Sequence, residues 1–214
     1  MMGSDEEDAY GDEHPVHEVK LNSFYIGKFP VTQALWKAVM NNNPSFFTGD
    51  SRPVETVSWE DAQAFVQKLN ELTGKVYRLP AEAEWEYAAR GGQHSKGYKY
   101  AGSNKLKEVG WYRENSHVET KAVGLKYSNE LGLYDMSGNV WEWVEDQWHG
   151  NYEGAPTDGS AWVDKEEGTA RVLRGGSWFY APGYCRCPSR IVYNPESRNT
   201  SSGFRLVLPL QSVG

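Results

Sequence analysis

Cysteine is nearly absent from this chain: 214 residues hold two, Cys185 and Cys187, spaced two apart. A bridge between them would close a tiny, strained ring, so no disulfide is expected and the core must hold the fold alone. Long apolar runs are missing too. No stretch of about 18 apolar residues exists, which excludes a membrane-crossing helix. Positive charge is in deficit, with 22 Lys and Arg against 29 Asp and Glu and a net charge of −7. No basic stripe offers itself to a phosphate backbone, so nucleic acid is not an expected partner. Phosphate-binding loops, the Gly-x-Ser-x-Gly elbow and zinc-type spacings are also lacking. The opening Met-Met-Gly-Ser-Asp-Glu-Glu-Asp does not read as a signal peptide, although a chain already trimmed of one would look the same.

What is abundant is rings and glycine. Nine Trp, thirteen Tyr, seven Phe and 22 Gly point to a loop-rich domain whose large side chains pin irregular segments. The acids Asp5, Glu6, Glu7, Asp8, Asp12 and Glu13 crowd the N-terminus and read as a solvated arm.

Residues 16–29 predict two short strands with a turn near Asn22-Ser23. Thr32 then caps a helix of about ten residues, with Leu35, Trp36, Val39 and Met40 at helical spacing. Ser58-Trp59-Glu60-Asp61 opens a second helix in the manner of a capping box; Ala62, Phe65, Val66 and Leu69 form its apolar face, and Gly74 stops it. A short strand at 76–79 leads through Pro80 to a third helix over 81–90. After residue 92 helical periodicity disappears. Strands are expected at 171–174 and 204–208, with irregular chain between them. Helices early and irregular β structure late give an α+β fold class, with one domain over 1–214 and no linker or repeat.

Four segments carry a resemblance. They are Phe24-Tyr25-Ile26-Gly27-Lys28-Phe29-Pro30-Val31-Thr32; Arg78-Leu79-Pro80-Ala81-Glu82-Ala83-Glu84-Trp85 onward to Gly92; Leu131-Gly132-Leu133-Tyr134-Asp135-Met136-Ser137-Gly138-Asn139-Val140-Trp141-Glu142-Trp143; and Arg174-Gly175-Gly176-Ser177-Trp178 with Gly203-Phe204-Arg205. In this order they resemble the formylglycine-generating-enzyme (sulfatase-modifying factor) domain. The resemblance implies that family's version of the C-type lectin fold, with little regular secondary structure.

The family's enzymes oxidise a substrate cysteine to formylglycine, and use two cysteines to hold copper. Soft thiolates suit Cu(I). Counted from Gly175-Gly176-Ser177, the second family cysteine falls on Cys185 and the first on Tyr180. A phenol does not replace a thiolate, so no copper and no enzymatic activity are expected. The sister iron-dependent branch needs a histidine cluster, which His14, His17, His94, His117 and His149 do not form in sequence.

Within residues 178–205, the frame Trp178, Cys185, Arg186, Arg190, Pro195, Arg198 and Gly203-Phe204-Arg205 resembles the variable region of proteins diversified by bacterial retroelements, of the treponemal variable-protein type. In such proteins error-prone reverse transcription randomises the adenines of Asn codons, which cannot then yield Met, Trp, Lys, Gln or Glu. Fourteen positions fit: Phe179, Tyr180, Gly183, Tyr184, Cys187, Ser189, Ile191, Val192, Tyr193, Asn194, Ser197, Asn199, Thr200 and Ser201. None is a forbidden type, although the five types make up 51 of the 214 residues. Tyr with Ser, Asn and Gly is a paratope composition, and Phe179, Tyr180, Tyr184 and Tyr193 would be its anchors. Ile191-Val192-Tyr193 reads either as exposed apolar contact or as a buried strand.

The expected function is therefore ligand binding by the variable region at 179–202, with a protein as ligand. The chain would act as a monomer at the cell surface or outside the cell, as a lipoprotein in some such proteins. The alternatives are an oxidase centred on Cys185 and a scaffold that has lost its chemistry. Arg186, Arg190 and Arg198 read as scaffold, pinning backbone through carbonyl and carboxylate bonds. The resemblance further implies a structural calcium at Asp135, Gly138, Val140 and Glu142; the other reading has Asp135 capping a turn and Glu142 pairing with an arginine.

Overall fold

The computed structural model describes residues 1–164 and 169–210. Its three principal helices stand where their start and stop signals lie. Helix α1 is Gln33–Met40, with the Thr32 side chain accepting from the Leu35 amide and Asn41 ending it in the left-handed region. Helix α2 is Trp59–Thr73. Ser58 and Asp61 exchange two capping bonds, Asp61 N to Ser58 Oγ at 3.0 Å and Ser58 N to Asp61 Oδ2 at 2.9 Å, and Gly74 closes the helix at φ 65°. Helix α3 is Glu82–Ala89, with Ala81 and Arg90 as its caps. A single turn, α4 at Leu106–Val109, follows.

Five short strands and one longer one complete the chain: β1 (Phe24–Ile26), β2 (Trp141–Gln147), β3 (Arg171–Arg174), β4 (Arg190–Tyr193), β5 (Ser202–Phe204) and β6 (Val207–Pro209). They form a four-stranded sheet in the order β4-β3-β2-β5, and a two-stranded ribbon of β1 and β6. In the larger sheet β5 runs parallel to β2 and the other pairs are antiparallel.

β2 is the centre of that sheet, and nothing in its WEWVEDQ sequence announces it. Both its faces are covered. Trp141 and Trp143 join Leu173 and Phe204 in the cluster that packs on α1 and α2. Val144 points the other way, with Val172 and Trp85 of α3. Glu142 and Asp146 lie on that second face, and partners from other elements satisfy both.

Several expectations need correction. Of the two strands expected over 16–29 only β1 forms; His17 merely bridges Met2. The strand expected at 76–79 is one bridge, Arg78 to Val207. The strand expected at 204–208 is split. Arg205 turns inward onto Glu142 and the carbonyls of Gly27 and Tyr134, so β5 ends in the main sheet and β6 begins in the ribbon. The acidic arm is not a free solvated tail. Met2, Gly3, Ser4 and Glu13 are buried, although Asp5 through Asp8 remain exposed.

Candidate ligand-binding surface

The 179–202 segment is hung on ion pairs, buried at Arg186 and Arg190 and exposed at Arg198. Arg186 grips Glu13 with two bonds, at 2.8 and 2.7 Å. Arg190 grips Glu82 at 2.8 and 2.7 Å, and Arg174 reaches Glu82, Glu86 and the carbonyls of Cys187 and Pro188. Arg198 holds Asp61 at the head of α2 at 2.7 and 2.9 Å. All three arginines read as scaffold therefore act as scaffold. Their flat, two-pronged heads suit this work, since each fixes an irregular backbone in position and orientation together.

Two stretches of this frame reach the surface side by side. The first is the loop 179–184 and the second is the edge strand β4. The Tyr180 and Tyr193 hydroxyls meet at 2.9 Å. Tyr180 stands edge-on to Trp141 at 5.3 Å and to Tyr184 at 5.3 Å. Phe179 is exposed, with the Arg113 guanidinium 5.7 Å from its ring centre. Ile191 and Tyr193 are half-buried against the sheet's apolar cluster. The Ile191-Val192-Tyr193 run is thus a strand, yet one whose side chains still reach solvent. Between loop and strand lies an open groove of about 520 Å³, lined by Tyr180, Tyr184, Ile191, Val192 and Tyr193. Tyr10, Gly11, Asp12 and Trp148 complete its walls, with Arg190 at the base.

The fourteen expected contact positions separate into three sets. Phe179, Tyr180, Gly183, Tyr184, Ile191, Val192 and Tyr193 lie at or beside the groove. Asn194, Ser197, Asn199 and Thr200 occupy the loop from β4 to β5, partly or fully exposed but outside the groove's lining. Cys187, Ser189 and Ser201 are corrections: they are 1%, 0% and 8% exposed, so their side chains face the interior and offer a ligand nothing. The backbone there is committed inward, because Arg174 draws the Cys187 carbonyl and Trp141 N donates to the Ser201 carbonyl at 2.7 Å.

Tyr10, Asp12 and Trp148 escaped the sequence reading. The arm is joined to the groove by Glu13 on Arg186, 173 positions apart, and by the Asp12 carbonyl on Arg190, and no local pattern announces such contacts.

Neither thiol is offered to a metal. Both cysteines are free and buried, and burial pushes each thiol up to about 12. Cys185 packs under the Gly175-Gly176 turn; a Cβ at Gly176, which has φ 76°, would stand 2.4 Å from the Cys185 sulfur. The residues of the implied calcium site fit that ion poorly. Glu142 is fully buried, and its two oxygens take Arg205 and the Trp85 indole N–H. Asp135 accepts from Gly124 N at 2.8 Å and from Asn139 Nδ2 at 3.3 Å, and burial raises it to about 6. With Glu142 neutralised by a guanidinium and Asp135 already accepting from Gly124 and Asn139, these residues make a weak cage for a hard dication.

Comparison with known proteins places this frame. The chain is 36% identical to chaperone protein LppX of Paenibacillus barcinonensis, over 93% of this chain and 83% of that protein. It is 35% identical to the formylglycine-generating enzyme of Thermomonospora curvata, over 82% of this chain and 61% of the enzyme. Among solved structures, Treponema denticola variable protein 1 superposes with a TM-score of 0.89 at 33% identity, covering 98% of this chain and 91% of its own. The Major Tropism Determinant M1 variant reaches a TM-score of 0.52 at 15% identity, over 87% of this chain and 50% of its own, a likeness of fold alone. The architecture is the loop-rich C-type lectin fold. Residues 1–210 match the sulfatase-modifying factor enzyme 1-like domain, and the chain belongs to that family.

Proposed function

We propose that this protein is a non-catalytic, receptor-like binding module whose 179–202 segment, diversified by a retroelement, engages a protein ligand at the cell surface. The observation that carries the reading is the groove between the 179–184 loop and β4. It gathers large, semi-rigid rings at the surface while the arginine frame beneath is fully paired. Rings supply contact area at little entropic cost, and a paired frame tolerates change in the residues above it. The likeness to a variable protein supports the same reading.

Resequencing the gene and its flanks from many clones of the host tests it. The expected result is substitution at the fourteen positions, confined to Asn-derived codons, beside a template copy and a reverse transcriptase gene. At 187, 189 and 201 the surviving residues should be small, because those side chains are enclosed. A constant 179–202 segment with no template nearby would overturn the reading. The competing function is the oxidase of the family's enzymes, and its measurement is copper uptake with turnover of a cysteine peptide. Two buried thiols and a tyrosine at position 180 favour neither.

A further inference from the structure

Only one wall of the groove belongs to the diversified segment. The other is Tyr10, Gly11 and Asp12 of the N-terminal arm. Glu13 anchors this wall on Arg186, and Arg190 Nη1 donates to the Asp12 carbonyl at 3.1 Å. The Tyr10 ring lies 5.7 Å from that of Tyr184, and a side chain grown at position 183 would meet the Tyr10 hydroxyl at 3.1 Å. The arm thus meets the variable positions directly.

Asp12 is the unsatisfied member of this corner. Glu13 is taken by Arg186, Glu82 by Arg190 and Arg174, and Asp8 by Lys99. The Asp12 carboxylate forms no ion pair among the described residues, and its Oδ1 is buried without a hydrogen-bond partner. Arg190, the nearest cation, spends Nε and Nη2 on Glu82 and Nη1 on the carbonyls of Asp12 and His149. The Trp148 and Tyr10 rings already carry guanidinium groups, Arg190 at 4.6 Å and Arg186 at 5.0 Å from the ring centres, so it is the half-buried Asp12 carboxylate, not the rings, that favours an incoming cation.

We propose that the groove takes a lysine or arginine side chain from a partner protein, its apolar stem along Ile191, Val192 and the tyrosine rings and its charge on Asp12. This rests on the ligand-binding reading above and adds the chemistry of the ligand. Charge complementarity supports it, since a chain of net charge −7 draws basic partners. A sugar is less well served, because the bond between the Tyr180 and Tyr193 hydroxyls leaves only one of their two protons free to donate. The arm makes the basic residue a constant requirement, while the variable wall chooses what surrounds it.

The test is selection of a random dodecapeptide display library on the whole protein, followed by calorimetry with the selected peptides. Enrichment of Lys or Arg next to apolar residues is expected. Asp12→Asn should weaken those peptides about tenfold or more, the worth of a hydrogen bond to a charged group. Its melting temperature should hold, because no partner is lost. Asp12→Lys should turn the selection toward Asp and Glu. Peptides lost on Tyr193→Ala but without basic enrichment, and indifferent to Asp12→Asn, would overturn this inference and leave the binding reading standing. Peptides indifferent to both substitutions, selection of none, or capture of glycans in place of peptides on a mixed array, would count against the proposal; the first two would remove the groove as a peptide site altogether.

Discussion

Arg190 and Arg198 each hold one carboxylate with two bonds, yet they contribute differently to stability. The first pair is enclosed and the second lies at the surface. Removing Arg190 takes two of the three guanidinium bonds from the enclosed Glu82 and leaves it to Arg174 alone, whereas an exposed pair simply returns to water. Arg190→Met should therefore cost about 3–5 kcal/mol in urea denaturation, and Arg198→Ala at most about 1 kcal/mol. Equal losses would mean that Glu82 is better hydrated than its position implies. The cysteines allow a second residue-scale check. Enclosed thiols that stay protonated should resist a disulfide reagent in the native protein and react, both of them, in guanidinium. Fast native labelling of Cys185 would revive the oxidase reading.

At the scale of elements, the 179–202 segment alternates between what can change and what cannot. A library substituting each position should leave 179, 184, 194 and 197 within about 0.5 kcal/mol of the parent, as surface changes do. Asparagine at 187 or 189 should cost about 2 kcal/mol or more, since a larger polar group would be forced into a packed interior. Abundance of each variant after proteolytic challenge measures both. The same elements show how much could be read from the chain. Helices α1, α2 and α3 were legible within a residue or two because caps and apolar spacing are local signals. β2 was not. Its acids are those of a solvated segment until Arg205, 63 positions away, is placed on Glu142. β4 was half legible, its apolar run visible but its edge position not. Half of the groove could be named in advance, the half on one continuous stretch; the Tyr10 to Asp12 wall depends on a partner at the far end of the chain.

For the whole molecule, the buried acids set the pH response. Burial, with the nearby Glu82 charge, raises Asp146 to about 7, and burial raises Asp135 to about 6. The folded state then holds protons that the unfolded chain releases near pH 4, so their contribution to stability is full below that and fades as pH rises to 7. Glu86 and Asp61 are shifted the other way, Glu86 by its arginines and Asp61 by Arg198 and the Ser58 amide, against the opposing effect of burial. Their contribution fades as pH falls through their depressed values. The two trends cross near the ordinary carboxylate range and place the optimum at roughly pH 4 to 5, with stability declining as pH rises toward 7, and melting curves from pH 3 to 9 should show it. An optimum above pH 7.5 would mean that Asp146 is ionised without penalty. A calcium chelator, by contrast, should move the melting temperature by less than about 1 °C, because a bound ion would stabilise by mass action and Glu142 already has its cation.

The pairing of Glu13 with Arg186 also sets an order of events during synthesis. A ribosome that has delivered 180 residues has delivered every acid of the arm and neither Arg186 nor Arg190 to receive it. The groove cannot take shape piecemeal as the chain emerges, and contacts of such separation close late. A nascent chain that stops short of Arg186 therefore lacks the anchor of the arm, and the recognition surface forms only once both partners of that pair have been made.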